Sequence, residues 1–232
     1  LCRHLAQLGA DVRVLTTNAN GPLADVDVET NRELKQAAGL SVEYCSQTVR
    51  ERLSLRLLGR LRGYVAWADV VHITSVYSVP TVAALGVCSA LGRPVVWSPR
   101  GSLQRWENAT RPGMKEMFER LCRVLAPQRM VLHTTSREEE EQSLRRMPGM
   151  AGVTIPNGVE LPELGEEQLL SVERRRPLSL LFVGRIHPIK GIDRLLEACR
   201  LVGGGPAWRL TLAGTGDPEY RDWLEEGGRR GG

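Results

Sequence analysis

Short apolar runs alternate with longer amphipathic stretches along this chain of 232 residues. That alternation is the pattern of a mainly parallel sheet covered by helices. Residues 1–8 read as the tail of a helix, closed by Gly9 just past its last apolar position. Strands are predicted over residues 11–15 (DVRVL), 40–44 (LSVEY), 69–73 (DVVHI), 94–97 (PVVW) and 130–133 (MVLH). Helices are predicted between them over 50–67, 79–91 and 113–125. In the first of these Leu53, Leu57, Leu61 and Val65 recur at helical spacing and share one face. Ser136 and Glu139 have the spacing of a capping box, in which the hydroxyl takes an early helix amide and the carboxylate reaches back. Pro156-Asn157-Gly158 is a turn signal with a tight, positive-φ conformation expected.

Residues 163–176 are polar and charge-rich, as expected of a linker with one solvated helix, and then the pattern restarts. A strand over 178–183, a helix over 191–201, a strand over 208–213 and a helix over 218–225 begin a second unit. The boundaries expected are 1–162 for a first Rossmann-like domain and 163–232 for part of a second. No solenoid repeat interrupts this organisation.

Composition narrows the function classes. A hydrophobic share of 42% and a charged share of 25% are ordinary for a globular protein. No apolar run approaches the roughly 18 residues of a membrane-spanning helix. The five cysteines are scattered, without the close pairs of a zinc site or a disulfide framework. A reducing, cytoplasmic setting is the simple expectation. The net charge of +4 is almost all arginine, since Lys35, Lys115 and Lys190 are the only lysines. With few aromatics and no nucleic-acid motif, a nucleic-acid partner is not expected. Arg52, Arg56 and Arg60 share a helix face opposite the leucine stripe. Such a face is ordinarily solvated; it also suits peripheral docking on an anionic membrane.

The chemistry concentrates in residues 183–191 (VGRIHPIKG). Gly184 permits a sharp exit from the carboxyl end of a buried strand, where ligands of open α/β sheets bind. Arg185 and Lys190 place two cations beside a helix start with unsatisfied amides and a favourable dipole. Together they match a diphosphate, and no acidic pair for a divalent metal accompanies them. The same spacing fits two surface charges on an ordinary strand–helix connection, and the residues alone leave both readings open. The G-x-x-x-x-G-K-[ST] and G-x-G-x-x-G phosphate motifs are absent.

Phe182-Val183-Gly184-Arg185, Lys190-Gly191-Ile192-Asp193 and Leu195-Leu196-Glu197-Ala198 closely resemble the second-domain signature of family 4 retaining glycosyltransferases. Residues 68–72 (ADVVH), 98–101 (SPRG), 155–159 (IPNGV), 213–216 (AGTG) and the trio Thr135, Ser136 and Glu139 agree in the same order. The resemblance implies a GT-B fold, two Rossmann-like doubly wound α/β domains facing a cleft, the second incomplete here. It implies transfer of a sugar from a UDP-, GDP- or ADP-type donor to a saccharide or lipid-linked acceptor, with retention and with neither cofactor nor metal. The function classes held beside it are a nucleotide-sugar-binding module without catalysis and a GT-B-fold nucleotide-sugar epimerase.

By the same resemblance Arg185 and Lys190 bind the donor diphosphate, Gly184 and Gly191 let the backbone approach it, and Gly214 and Gly216 form a glycine loop near the donor. A plain strand-to-helix turn explains those last two glycines equally well. Arg100 stands in a loop where many family members carry a sugar-contacting His, and is expected to contact donor phosphate or an anionic acceptor. His72 matches the first His of a strand-end motif, with Thr74 in place of the second. The family further leads one to expect a first strand before residue 1 and a Glu-x7-Glu region after residue 232, and hence a chain inactive by itself.

Overall fold

A computed structural model describes residues 1–20, 25–48, 53–104, 112–160, 178–202 and 208–229. It divides into two compact units, Leu1–Val159 and Glu160–Gly232. The first runs α1 (Cys2–Gln7), β1 (Val12–Thr17), β2 (Glu33–Ala37), β3 (Leu40–Cys45), α2 (Leu55–Trp67), β4 (Val71–Thr74), α3 (Val79–Ala90), β5 (Val95–Ser98), α4 (Pro112–Leu125), β6 (Met130–Thr134), α5 (Arg137–Arg146) and β7 (Ala151–Thr154).

Strands β4, β5, β6 and β7 lie side by side in chain order, all parallel, with a helix in every crossover between them. Val95 and Trp97 on β5, Leu132 on β6 and Ile73 on β4 are buried against Leu85 and Cys88 of α3 and Cys122 of α4. Helices α2 and α3 start where the sequence offers a hydroxyl. Ser54 caps α2 by accepting from the Leu57 amide, and Ser78 caps α3 by accepting from that of Thr81. The stripe expected on α2 is the buried one, through Leu57, Leu61 and Val65.

Beside this sheet stands a three-stranded one, in the order β1-β3-β2. Its β1–β3 pair is parallel, but β2 runs antiparallel to β3. Strand β2 (ELKQA) was not expected: it is polar and largely exposed, an edge that carries no apolar run. On β3, Glu43 is only 1% exposed. It accepts from Arg56 Nε at 3.2 Å, Arg60 Nε at 3.0 Å and the Tyr64 hydroxyl at 3.0 Å. Arg56 and Arg60 thus stay exposed, as expected, while pairing with Glu43 of β3, and Arg52 lies outside the described residues.

The second unit contains β8 (Leu178–Val183), a 3₁₀ turn (Pro188–Lys190), α6 (Ile192–Leu201), β9 (Trp208–Ala213) and α7 (Pro218–Arg229). β8 and β9 pair in parallel, and Ile186, Ile192 and Leu224 form a small core with Phe182, Leu196, Leu212 and Tyr220. The linker expected over 163–176 lies outside the described residues. One Rossmann-like domain is evident, in the first unit, while the described part of the second amounts to a two-stranded sheet with its helices. No helix among the described residues is long and apolar enough to cross a membrane.

Burial alone would raise the pKa of Glu43, but the hydrogen bonds of Tyr64 and Arg60, the Arg60 charge and the Arg56 hydrogen bond outweigh it and hold the carboxyl below its usual range. Its stabilising effect is thus fully present above the ordinary carboxylate pKa and is lost as pH falls through the depressed value. Glu43→Gln is expected to lower stability by about 1 kcal/mol at neutral pH, since solvent screens its half-exposed arginine partners. Urea melts of both proteins from pH 7 to pH 3 should show that difference shrinking below about pH 4; a difference constant with pH would assign the effect to packing.

Candidate functional site

Parallel neighbours bring their exits to one end of the sheet, so β4, β5 and β6 finish side by side. Their last apolar residues are followed on one face by polar ones. His72 Nε2 lies 2.7 Å from Ser98 Oγ, Ser98 Oγ lies 2.8 Å from His133 Nδ1, and His133 Nε2 lies 3.1 Å from the Ile155 carbonyl. Ser98 is fully buried and His72 is exposed. Desolvation of the ring, with the nearby His133 and Arg100 charges, lowers the pKa of His72. This row was not anticipated, for no role was assigned to Ser98 or His133. The available signal was a polar residue near the end of each of three successive apolar strands.

The loop leaving β5 is held in an unusual conformation. Arg100 has φ 54° and Gly101 φ 77°, and Ser75, in the loop after β4, has φ 78°. Left-handed geometry costs a non-glycine residue about 1 kcal/mol or more, so the surroundings must impose it. For Ser75 they do: its amide donates to the Ser98 carbonyl, and its own carbonyl accepts from the Trp97 indole at 2.7 Å. For the Arg100 loop the restraint is Glu139, 2% exposed. Its carboxylate accepts from the Gly101 amide at 2.6 Å and from the Thr135 amide and hydroxyl, both at 2.8 Å.

The capping expectation is corrected in part. Ser136 does accept from the Glu139 amide at 3.2 Å, but the Glu139 carboxylate reaches Thr135 and the neighbouring loop, not the Ser136 amide. Burial alone would raise the pKa of Glu139; the amides of Thr135 and Gly101, the Thr135 hydroxyl and the Arg100 charge reverse this and lower it. The Arg100 guanidinium donates to the side-chain oxygen of Asn157 at 2.5 Å. Gly158 is not among the positive-φ residues, so the positive-φ turn expected at Asn157-Gly158 is not formed, and Asn157 instead anchors Arg100.

In the second unit, β8 and β9 both exit through glycines, and their ladder continues beyond the strands. The Gly184 amide donates to the Ala213 carbonyl at 3.0 Å and that of Ile186 to the Thr215 carbonyl at 2.8 Å. A Cβ on Gly214 would collide with the Gly184 carbonyl, and one on Gly216 with that of Ile186. Close backbone approach between the two exits therefore accounts for both glycines. Gly191 takes φ 63°, where the 3₁₀ turn ends and α6 begins. His187 accepts from the Ile189 amide at 3.2 Å and caps that turn. The start of α6 receives no side-chain cap from Gly191. Arg185 and Lys190 are exposed, and among the described residues neither side chain has a hydrogen-bond or ion-pair partner.

The Glycosyl transferase 4-like domain model matches residues 1–158. Comparison with curated proteins gives no significant match. Among solved structures, sucrose-phosphate synthase from Thermosynechococcus elongatus superposes with a TM-score of 0.67 at 18% identity, covering 99% of this chain and 61% of that one. The apo form of the lipopolysaccharide outer core galactosyltransferase WaaB superposes with a TM-score of 0.52 at 15% identity, covering 94% of this chain and 66% of that one. The chain thus has the fold of GT-B enzymes over about two thirds of their length.

Glu139→Gln places an amide donor against donors from Gly101 and Thr135, so at least one buried bond is lost. A stability loss of about 2 kcal/mol is expected, with faster hydrogen exchange at the Gly101 amide. Denaturant unfolding and exchange NMR check it; unchanged Gly101 protection would show that the loop is held by something else.

Proposed function

Because the chain belongs to the Glycosyl transferase 4-like domain family, we propose that it works in a retaining, metal-independent glycosyltransferase. The enzyme would move a sugar from a nucleoside diphosphate sugar to a saccharide or lipid-linked acceptor. The observation that carries the donor half of this reading is the pair Arg185 and Lys190, two exposed cations without protein partners beside the side-chain-uncapped start of α6.

A diphosphate supplies what that arrangement lacks. Its oxygens take the free amides of the first helical turn and gain from the helix dipole. Arg185 engages two oxygens at once, and Lys190 adds a point charge. As the bond from the anomeric carbon to the phosphate oxygen breaks, negative charge grows on the leaving diphosphate, so the two cations favour the transition state over the ground state. Gly184 and Gly191 leave the backbone open on this side, whereas Gly214 and Gly216 serve the donor loop by keeping the two strand exits in contact.

The strained loop of the first unit supports the acceptor half. Arg100 is an exposed guanidinium on a fixed backbone, anchored through one nitrogen to Asn157. It is suited to an anionic acceptor or a donor phosphate. His72 lies at the same end of the sheet and meets the reacting sugars.

Calorimetric titration of the 232-residue chain with UDP, GDP and ADP tests the clamp. Arg185→Ala and Lys190→Ala should each weaken binding of the preferred diphosphate about 10- to 100-fold, and the affinity should fall as salt is raised. Affinities unaltered by both substitutions would remove these residues from the donor site.

A further inference from the structure

Outside the proposed diphosphate clamp, the row His72, Ser98 and His133 links three polar side chains to a main-chain carbonyl. We propose that Ser98 and His133 are positioning residues that fix His72 as the tautomer protonated on Nε2, leaving Nδ1 a bare acceptor. The inference rests on the glycosyltransferase reading only for the use to which His72 is put.

The argument follows the protons. A carbonyl oxygen only accepts, so His133 Nε2 carries the proton that reaches Ile155 O. With a neutral ring, His133 Nδ1 then has a lone pair and no proton. The 2.8 Å contact to Ser98 Oγ therefore has the serine donating. The serine has one proton, now committed, so in its 2.7 Å contact with His72 it accepts, and the proton there belongs to His72 Nε2. Ser98 is fully buried, which denies its hydroxyl a competing water. The opposite direction would need protons on both nitrogens of His133, Nδ1 for Ser98 and Nε2 for Ile155 O. Every link is fixed by the link before it, and the first is fixed by a main-chain carbonyl.

His72 Nδ1 has no partner among the described residues, and the residue is exposed. A lone pair there repels phosphate oxygens and accepts from a hydroxyl. His72 thus meets substrate as an acceptor for O–H, and the anion is left to Arg100. This division of labour follows from Ser98 and His133, neither of which need touch substrate.

Long-range proton–nitrogen NMR on the 15N-histidine-labelled chain at pH 8, where an ordinary imidazole is neutral, reads the tautomer directly and needs no turnover. In the wild type His72 should show a pyrrole-like Nε2 and a pyridine-like Nδ1, with a bias of about tenfold or more from one buried hydrogen bond. In His133→Phe the Ser98 proton loses its acceptor and turns to His72 Nε2, so the tautomer should reverse. His133→Leu, which also removes the acceptor towards Ser98 but with a smaller, non-aromatic side chain, should reverse it too and covers the case in which Phe disturbs β6. In Ser98→Ala the bias should relax to the mixture of a free imidazole. A wild-type His72 that is mixed or protonated on Nδ1, or one left unchanged by folded His133 variants, overturns the inference. Nucleoside diphosphate affinities unaltered by Arg185→Ala and Lys190→Ala would remove the clamp and leave the tautomer result standing.

Discussion

The buried carboxylate of Glu139 is the constraint on which the first unit's site depends. It sits at the start of α5, which follows β6, and its longest-range partner is the Gly101 amide, which follows β5. Because β5 and β6 are parallel neighbours, their exits lie beside each other, and one side chain spans them. Ser136 fixes the first turn of α5 and so aims the carboxylate. The carboxylate in turn holds two consecutive residues, Arg100 and Gly101, in left-handed geometry. Without such a bond the Arg100 backbone would relax to a commoner conformation, and the guanidinium would leave Asn157. The strain is local, and the hydrogen bonds that offset it come from an element adjacent in space but not in sequence.

Charge is used differently in the second unit. Three arginines of the first unit are tied to buried carboxylates: Arg56 and Arg60 to Glu43, and Arg146 to Glu119. Those pairs hold helices to strands or to one another. Arg185 and Lys190 are not tied in this way; they are exposed beside a helix start that has no side-chain cap. Gly214 and Gly216 are demanded by the backbone of the neighbouring strand exit, so their presence alone says nothing of a ligand. The cations and the amides of α6 have no such internal explanation.

How far the sequence carried depended on whether the information was local. Apolar runs such as VVW and MVLH identify β5 and β6, and the hydroxyl of Ser136 marks the start of α5, since each signal acts within a few residues. Strand β2 escaped because its ELKQA sequence is an exposed edge with little to bury. The pairing of Arg56 and Arg60 with Glu43 was hidden because Glu43 belongs to a strand that only folding brings near. The left-handed backbone of Arg100 was equally hidden, because nothing in Ser-Pro-Arg-Gly declares it and its cause is a carboxylate in α5.

The histidine row is the sharpest case of that non-local logic. Trp97 is opposite Leu132, so the residues after them, Ser98 and His133, fall side by side, and His72 pairs with Val96 two places before Ser98. Register therefore puts all three on one face of the sheet, with the buried hydroxyl between two rings. The interior of the same strands is closed by Val95, Trp97 and Leu132, whose one polar side-chain group, the Trp97 indole N–H, donates to the Ser75 carbonyl. Polar groups become affordable only where the strands end, and there each must find a partner. A hydroxyl with one proton between two imidazoles meets that demand in a single direction once a main-chain carbonyl fixes one end. The requirement to satisfy buried polar atoms is thus enough to set the face that His72 turns to its substrate.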